Sequence, residues 1–259
     1  MNRQPAVAGT FYPANPVQLH AMIDGYLSNA SSSNKIPKAI IVPHAGYIYS
    51  GPIAANAYSR LKNARDLIKR VVLVGPSHRV AFQGLAVSQA QTFDTPLGSI
   101  VVDQLAVDAL LSLQFVHVSD QAHAFEHSLE VQLPFLQTLL DEFTLVPIVV
   151  GDASAEQVAT VLDKLWGGVE TLIVISSDLS HYHDYATAQR LDQATSAAIE
   201  ALDGQRLSYE SACGRIPVCG LLNIARQKSL AIKTIDLRNS GDTAGDKKRV
   251  VGYGAYVIE

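Results

Sequence analysis

Four short runs of consecutive apolar residues recur along the chain, and each of them ends at a turn residue. They read KAIIVP, RVVLVGP, FTLVPIVVG and ETLIVISSD, and they begin at Lys38, Arg70, Phe143 and Glu170. Continuous β-branched runs of this length are typical of parallel strands, because such strands are covered on both faces and expose neither side to water. The pattern predicts a largely parallel central sheet.

Amphipathic helices are predicted elsewhere along the chain, where apolar residues recur at spacings of three and four. These segments read GPIAANAYSRLKNA, EHSLEVQLPFLQTLLDE, SAEQVATVLDKLW and ATAQRLDQATSAAIEALD, and they begin at Gly51, Glu126, Ser154 and Ala186. Pro134 is expected to break or kink the second segment, because proline lacks a backbone amide proton. Strands that alternate with helices predict an α/β sandwich.

Further segments complete the predicted fold. Residues 84–103 place Pro-Leu-Gly between two short apolar runs, which predicts a hairpin or an excursion at the sheet edge, and the terminal RVVGYGAYVIE predicts a last strand. NASSSNKIPK, residues 29–38, is low in complexity and is interpreted as a surface loop. The sequence thus predicts a single domain over residues 1–259, with a mixed, mostly parallel central sheet flanked by helices.

Composition excludes several classes of protein. Of the 259 residues, 48% are hydrophobic, which is enough to form a large core without disulfides or structural metal. The formal net charge is -4 and no long basic run occurs, which argues against a nucleic-acid partner. We expect a cytoplasmic protein without membrane contact, because we find neither a signal-peptide pattern nor an apolar stretch long enough to span a bilayer.

Chemically versatile side chains follow three of the predicted strands. His44 comes after AIIVP, His78 after VVLVGPS, and Asp178 and His181 come after LIVISS. Ligands of open α/β sheets bind beyond the carboxyl ends of the strands, so we expect these side chains to converge. Taken singly, each could instead cap a helix or close a turn. Two histidines with a carboxylate suit a divalent transition metal that keeps positions open for substrate.

Glu126 and His127 stand at the start of the second helical segment. Acidic residues such as Glu126 are favoured in a first turn by the helix dipole alone, and His127 could be a plain surface residue. A cationic histidine is disfavoured at a helix amino terminus, so we expect His127 to be neutral. A neutral imidazole suits either a supporting group or one that faces substrate.

The cysteines, Cys213 and Cys219, are spaced too widely for a zinc knuckle or a thioredoxin motif. Cys219 lies within an apolar helical stripe and is interpreted as core. Cys213 lies at the entrance of that helix beside Arg215, where the helix dipole and the guanidinium charge are expected to stabilise a thiolate. Cys213 is therefore a candidate metal ligand or reactive group.

Together these segments resemble the Memo family, whose bacterial and archaeal members are called the B component of the AmmeMemoRadiSam system. The resemblance spans nearly the whole chain through RQPAVAGTFYP, VPHAGYIYSG, VGPSH, EHSLEVQLPFL, SSDLSH and CGRIPVCGLLNIA, and the order of these motifs makes it specific. It implies the fold of class III extradiol ring-cleaving dioxygenases, which use a non-haem iron held by two histidines and a carboxylate. It also implies a functional association with radical SAM and AMMECR-type proteins.

The resemblance assigns metal ligands. His44 and His78 match the metal-site histidines of the family, Cys213 matches the cysteine that joins them, and Asp178 with His181 match the neighbouring polar pair. The third iron ligand of the dioxygenases is a glutamate, and a thiolate in its place favours copper, zinc or a redox role over ordinary ring cleavage. We expect iron or copper, with zinc as a further candidate, and either Asp178 or Cys213 as the third ligand.

The remaining candidates are assigned to the same cleft. We expect His181, Asp178 and His127 to take part in catalysis, with His181 moving protons. The expected substrate contacts are Tyr47, Glu126 and Arg215. Tyr47 and Tyr49 either line the pocket or pack under the loop.

Two kinds of function follow from these assignments. The first is a metal-dependent oxidoreductase, dioxygenase-like, acting on an unknown small molecule. The alternative is a non-catalytic adaptor that uses the same cleft to bind a metal ion, a peptide or another ligand. Hydrolysis is less favoured, because the chain lacks the G-x-S-x-G motif.

Overall fold

The computed structural model describes residues 1–30, 33 and 35–259. The surface loop predicted over residues 29–38 therefore falls partly outside the described residues, at positions 31, 32 and 34.

Strands and helices alternate along most of the chain. The strands are β1 (Asn2–Arg3), β2 (Ala39–Val42), β3 (Arg70–Pro76), β4 (Leu85–Val87), β5 (Thr92–Thr95), β6 (Gly98–Val101), β7 (Val116–Val118), β8 (Thr144–Val150), β9 (Thr171–Ser176), β10 (His181–His183), β11 (Ile232–Asn239) and β12 (Val250–Ile258). The α-helices are α1 (Pro16–Ser28), α2 (Tyr47–Tyr58), α3 (Gln104–Leu110), α4 (Asp120–Ala124), α5 (His127–Glu130), α6 (Leu133–Leu139), α7 (Ala155–Lys164), α8 (Tyr185–Glu200) and α9 (Arg215–Gln227).

The main sheet has the strand order β10-β12-β2-β9-β3-β8-β4-β7, and β11 pairs with β12 outside this path. Strands β2, β9, β3 and β8 run parallel at its centre. Strand β12 is antiparallel to β2, and β4 is antiparallel to β8. The predicted α/β fold with a mixed sheet and a parallel centre is confirmed.

Helices cover both faces of this sheet. Every residue of β2 and β9 is buried, and so is every residue of β3 and β8 after the first. Successive side chains of a strand point to opposite faces, so complete burial requires a layer on each side. Helices α1, α2 and α6 pack together, with α2 against β2 and β12, while α7 and α9 pack together, with α9 against β3 and β9.

The predicted hairpin and terminal strand are both present. Strands β5 and β6 pair in antiparallel fashion around Pro96 and Leu97, but with β1 they form a separate three-stranded sheet. The last predicted strand is β12, which lies inside the main sheet between β11 and β2.

The main differences from the predicted helices concern two segments. Helix α2 begins at Tyr47, four residues before the predicted start, so Pro52 lies inside the helix rather than in its first turn. The second predicted helix is divided into α5 and α6, and Pro134 lies in the first turn of α6, where proline is well tolerated. Within the described part of the chain, no helix combines the length and the apolar character needed to cross a membrane.

Candidate metal centre

His44 lies in the short connection between β2 and α2 and is buried. Its backbone amide donates to Asp178 Oδ1 over 2.7 Å. Its ring Nδ1 lies 2.9 Å from the hydroxyl of Ser176, the last residue of β9. Because β2 and β9 are parallel neighbours, their carboxyl ends lie side by side, and the end of β9 fixes both the backbone and the ring of His44.

The hydrogen bonds of Ser176 determine which nitrogen of His44 carries the proton. The Ser176 hydroxyl donates to the Ser128 carbonyl over 2.6 Å, and it accepts from Gln132 Nε2 over 2.8 Å. The orientation of the Gln132 amide is set by Tyr58, whose hydroxyl donates to Gln132 Oε1. A hydroxyl has a single proton, so Nδ1 of His44 must be the donor in its contact with Ser176. The lone pair of His44 is therefore on Nε2.

His78 follows β3, and Glu126 holds both its backbone and its ring. Glu126 Oε2 accepts from the His78 amide over 2.5 Å, and Oε1 accepts from His78 Nδ1 over 2.9 Å. Burial opposes the charge on Glu126, but the hydrogen bonds from His78 outweigh this effect and lower the pKa of Glu126 to about 2. An ionised carboxylate only accepts hydrogen bonds, so His78 Nδ1 donates and Nε2 is left to bind a metal.

Cys213 lies in the loop before α9, and Gly214 brings it against the end of β9. The Cys213 sulfur lies 3.3 Å from His44 Nε2, the nitrogen that carries the lone pair, and accepts from the Asp178 amide over 3.3 Å. A Cβ atom at position 214 would lie 2.6 Å from Ser177 Cβ, which is closer than side chains pack. Glycine at this position is therefore what permits the approach.

A third imidazole, that of His127, completes a cluster of rings. Its centroid lies 4.6 Å from that of His78 and 5.4 Å from that of His44, and the latter two lie 5.1 Å apart. Burial lowers the pKa of His127 to about 4, which agrees with the neutral state predicted for it. Nδ1 of His127 is buried and has no hydrogen-bond partner among the described residues, although Glu126 Oε1 lies 3.4 Å away.

Burial also disfavours the charged forms of the other groups of the centre. It lowers the pKa of His44 well below its usual value, with help from the neighbouring histidines, and it lowers the pKa of His181. Burial raises the pKa of Asp178 to about 7 and that of Cys213 to about 12. A metal ion that binds Cys213 must therefore displace the thiol proton, which makes binding dependent on pH.

The centre opens into a cavity of about 870 Å³, large enough for a small organic molecule. Aromatic residues form much of its wall: Phe11, Tyr49, Tyr182, Tyr209 and Tyr253. Tyr182 has a φ angle of 63°, in the left-handed region that is uncommon for residues other than glycine, and it is 63% exposed. The guanidinium carbon of Arg249 lies 4.9 Å from the centre of the Tyr182 ring.

The structure brings together every residue that was expected to bind metal or take part in catalysis. The cavity is lined by His44, His78, His127, Asp178, His181 and Cys213. The parallel strands β2, β3 and β9 end at the same edge of the sheet and bring His44, His78 and Asp178 together there. The chemical roles of these residues stay predictions.

Tyr47 is placed differently from the expected substrate contact. It is buried, and its hydroxyl donates to the Val131 carbonyl over 2.7 Å. Tyr47 is the first residue of α2 and faces Tyr12 and Phe135 in the core, whereas Tyr49 lines the cavity. Tyr47 is therefore not the expected substrate contact. It packs under the loop, which is the alternative that the sequence left open.

Two further expectations, those for Glu126 and for a Cys213 thiolate, are corrected, whereas the substrate contact expected of Arg215 stays a prediction. Glu126 is only 1% exposed, and it binds His78 rather than facing the cavity. The guanidinium carbon of Arg215 lies 4.1 Å from the centre of the Tyr209 ring, and Tyr209 is part of the cavity wall. The prediction that Arg215 stabilises a thiolate at Cys213 is wrong for the metal-free protein, because burial raises the pKa of the thiol to about 12.

Sequence reasoning missed the residues that support the ligands. Ser176 ends β9 and is buried together with Gln132. Gln132 lies within EHSLEVQLPFL, and a polar residue at a position flanked by apolar ones was the available signal.

The donor atoms fit a transition-metal ion. One donor atom each from His44, His78 and Cys213 lie within 4.8 Å of one another, and a second such group comprises His78, Glu126 and His127. In the second group Glu126 already accepts from His78, so it supports the ligand rather than replacing it. Imidazole nitrogens with a cysteine sulfur suit iron, copper and zinc. The geometry favours Cys213 over Asp178 as the third ligand.

Sequence comparisons identify one family. The sequence profile described as "Memo-like protein" matches residues 3–257. A MEMO1 family protein of Aquifex aeolicus is 39% identical, with 97% of each chain covered, and one of Archaeoglobus fulgidus is 37% identical, with 99% of each chain covered. A crystal structure of an uncharacterized protein from Escherichia coli K12 superposes with a TM-score of 0.53 at 15% identity, covering 86% of this chain and 100% of that one, and it supports the fold alone.

Proposed function

The chain belongs to the Memo-like family, and from this membership and the geometry of its site we propose that it is a metalloprotein with oxidoreductase activity. We propose that His44, His78 and Cys213 hold one ion of iron or copper, with zinc as a further candidate. The observation that carries the proposal is the state of the two histidines. Each donates Nδ1–H to a buried partner, which leaves Nε2 free as a ligand atom.

A bound iron or copper ion would supply electron exchange with O₂ or with an oxidisable substrate. The chain's own residues then serve the reaction in two ways. Asp178, whose pKa burial raises to about 7, can hold or release a proton on Oδ2, since Oδ1 accepts from the His44 amide. His181, whose pKa burial lowers, is neutral and can accept a proton from substrate.

A binding function without turnover is the second candidate, and a specific observation favours it. Tyr209 is 85% exposed and Tyr182 is 63% exposed at the cavity, and an arginine lies against each ring, Arg215 and Arg249 respectively. Aromatic and arginine side chains are enriched at protein interfaces. A peptide could therefore dock at this mouth.

Oxygen consumption distinguishes the two candidates. We would reconstitute the protein anaerobically with Fe(II) or Cu(I), add ascorbate as reductant, and record O₂ uptake with an electrode. The proposal predicts uptake that requires metal and is lost in His44→Ala but kept in His20→Ala, which replaces an exposed histidine on α1. Equal uptake by wild type and His44→Ala would contradict an oxidoreductase that uses this centre.

A further inference from the structure

A second cavity, of about 620 Å³, lies at the same edge of the sheet as the metal centre. We call it the side chamber, and its wall includes Ser77, Phe82, Gln83, Asp152, Tyr209 and Cys213. Pro76 and Val150 are the last residues of the parallel strands β3 and β8. The chamber thus occupies the position beyond the carboxyl ends of the strands where open α/β sheets bind ligands.

The side chamber adjoins the metal cavity. Cys213 and Tyr209 line both cavities. The Cys213 sulfur also lies 3.3 Å from His44 Nε2. The Cys213 side chain therefore belongs both to the candidate ligand set and to the chamber wall. A molecule bound at the metal centre can therefore extend past Cys213 into the chamber.

The walls of the side chamber are suited to an apolar group. Three of its polar side chains already make hydrogen bonds: Ser77 Oγ donates to the Val80 carbonyl over 2.6 Å, and Gln83 Nε2 donates to Asp152 Oδ2 over 2.8 Å. Aliphatic and aromatic side chains make up most of the rest of the wall, and they include Phe82. Ligand cavities of this size, apolar with a few polar groups, hold groups as large as a small organic molecule.

We infer that the side chamber binds the apolar arm of an elongated ligand whose polar end binds at the metal centre. The substrate class is then an amphipathic molecule with an alkyl or aryl chain, rather than a compact polar one. This inference rests on the proposed function, because the polar end is placed on the metal.

A series of n-alkyl hydroxamates tests the inference, since the hydroxamate binds metal and only the chain length changes. We would measure Kd by calorimetry on the Zn(II)-loaded protein, from acetohydroxamate to octanohydroxamate. Affinity should rise about fourfold for each added methylene that enters the chamber, the factor that corresponds to burial of one CH₂ group. Affinity that is independent of chain length would overturn the inference.

Variants with a larger side chain in the chamber wall test whether the alkyl chain of the hydroxamate binds there. Ala81→Trp, at an exposed position of the chamber wall, should abolish the gain with chain length and leave the Kd of acetohydroxamate unchanged. If Ala81→Trp folds poorly, Ile216→Trp, at another position of the chamber wall, should have the same effect. Ala201→Trp, an exposed alanine after α8, serves as the matched control and should keep the full gain. A gain that persists in both chamber variants would place the chain elsewhere.

A second measurement separates failure of the chamber from failure of the metal centre. If no metal or acetohydroxamate binds, the proposed function fails, and the chamber is tested on metal-free protein with the uncharged fluorophore N-phenyl-1-naphthylamine. The inference predicts binding at one site that Ala81→Trp weakens at least tenfold and Ala201→Trp leaves unchanged. Absence of binding, or binding that Ala81→Trp does not affect, would overturn it.

Discussion

Ser176→Ala tests whether the buried network behind His44 sets its ligand nitrogen. The hydroxyl of Ser176 has three hydrogen-bond partners: His44, Gln132 and the Ser128 carbonyl. In the variant, Gln132 still donates to the Pro43 carbonyl. The substitution leaves the Ser128 carbonyl and Nδ1–H of His44 without this partner. Each buried polar group that loses its partner costs about 1–3 kcal/mol, so we expect the free energy of unfolding to fall by roughly 2–6 kcal/mol.

The effect on metal binding is the more specific result. Without Ser176 as an acceptor, the proton of His44 is free to move to Nε2, and that nitrogen then no longer binds metal. Loss of a group that orients a ligand typically weakens metal affinity by about 10–100-fold. We would measure Zn(II) affinity by competition with a chelating dye, stability by urea unfolding, and the proton position by ¹⁵N NMR of the His44 ring.

Ser88→Ala provides the matched control for this experiment. Ser88 is equally buried, donates to Asp120 Oδ1 over 2.6 Å and lies at the end of β4, outside the centre. It should lose comparable stability with unchanged Zn(II) affinity. Zn(II) affinity of Ser176→Ala within twofold of wild type, with the proton still on Nδ1, would refute the reasoning.

Three other substitutions test separate parts of the account. Glu126→Gln removes the carboxylate that orients a ligand histidine and should weaken Zn(II) binding about 10–100-fold, whereas Glu142→Gln, at an exposed position, should not; equal affinities would contradict the assigned role. Gly214→Ala forces its Cβ to within 2.6 Å of a neighbouring side chain and should displace the cysteine ligand, whereas Gly25→Ala in α1, with open space around it, should bind metal normally and unfold at the same or higher urea concentration. His123 is fully buried with a pKa lowered to about 4, so its neutral form stabilises the fold above pH about 6.5. As pH falls from about 6.5 to about 4, the unfolded state gains this proton and the native state does not, so wild type should lose up to about 3 kcal/mol that His123→Gln does not lose; parallel urea-unfolding profiles against pH would disprove this.

The sequence was informative where parallel strand pairing alone determines the position of a residue. His44, His78 and Asp178 directly follow buried strands, and parallel pairing is sufficient to bring such residues to one edge of the sheet. The fold class was predictable for the same reason, because the runs of buried β-branched residues are continuous and easily recognised.

Other features depend on contacts that no local pattern contains. Tyr47 was assigned to the pocket because α2 was expected to begin later, and an earlier helix start turns its side chain into the core. The ionisation of Cys213 depends on burial by distant segments, and the partner of Arg215 is a tyrosine ring in a loop. The hydrogen bond of Ser176 with Gln132 joins β9 to the residue before α6, a pairing set by tertiary packing alone.

Association with radical SAM and AMMECR-type proteins and a cytoplasmic location stay predictions from the sequence.

Metal content per chain is the measurement that tests the central claim most directly. We would purify wild type, His44→Ala, Cys213→Ser and Cys219→Ser anaerobically, incubate each with Fe(II) or Cu(I), remove free metal, and determine bound metal by mass spectrometry. The account predicts one ion per chain in wild type and in Cys219→Ser, and loss of the ion in the other two variants. Cys219 serves as the control because it is a buried free cysteine on α9. A wild-type protein that takes up no metal, or ligand variants that keep the full amount, would contradict it.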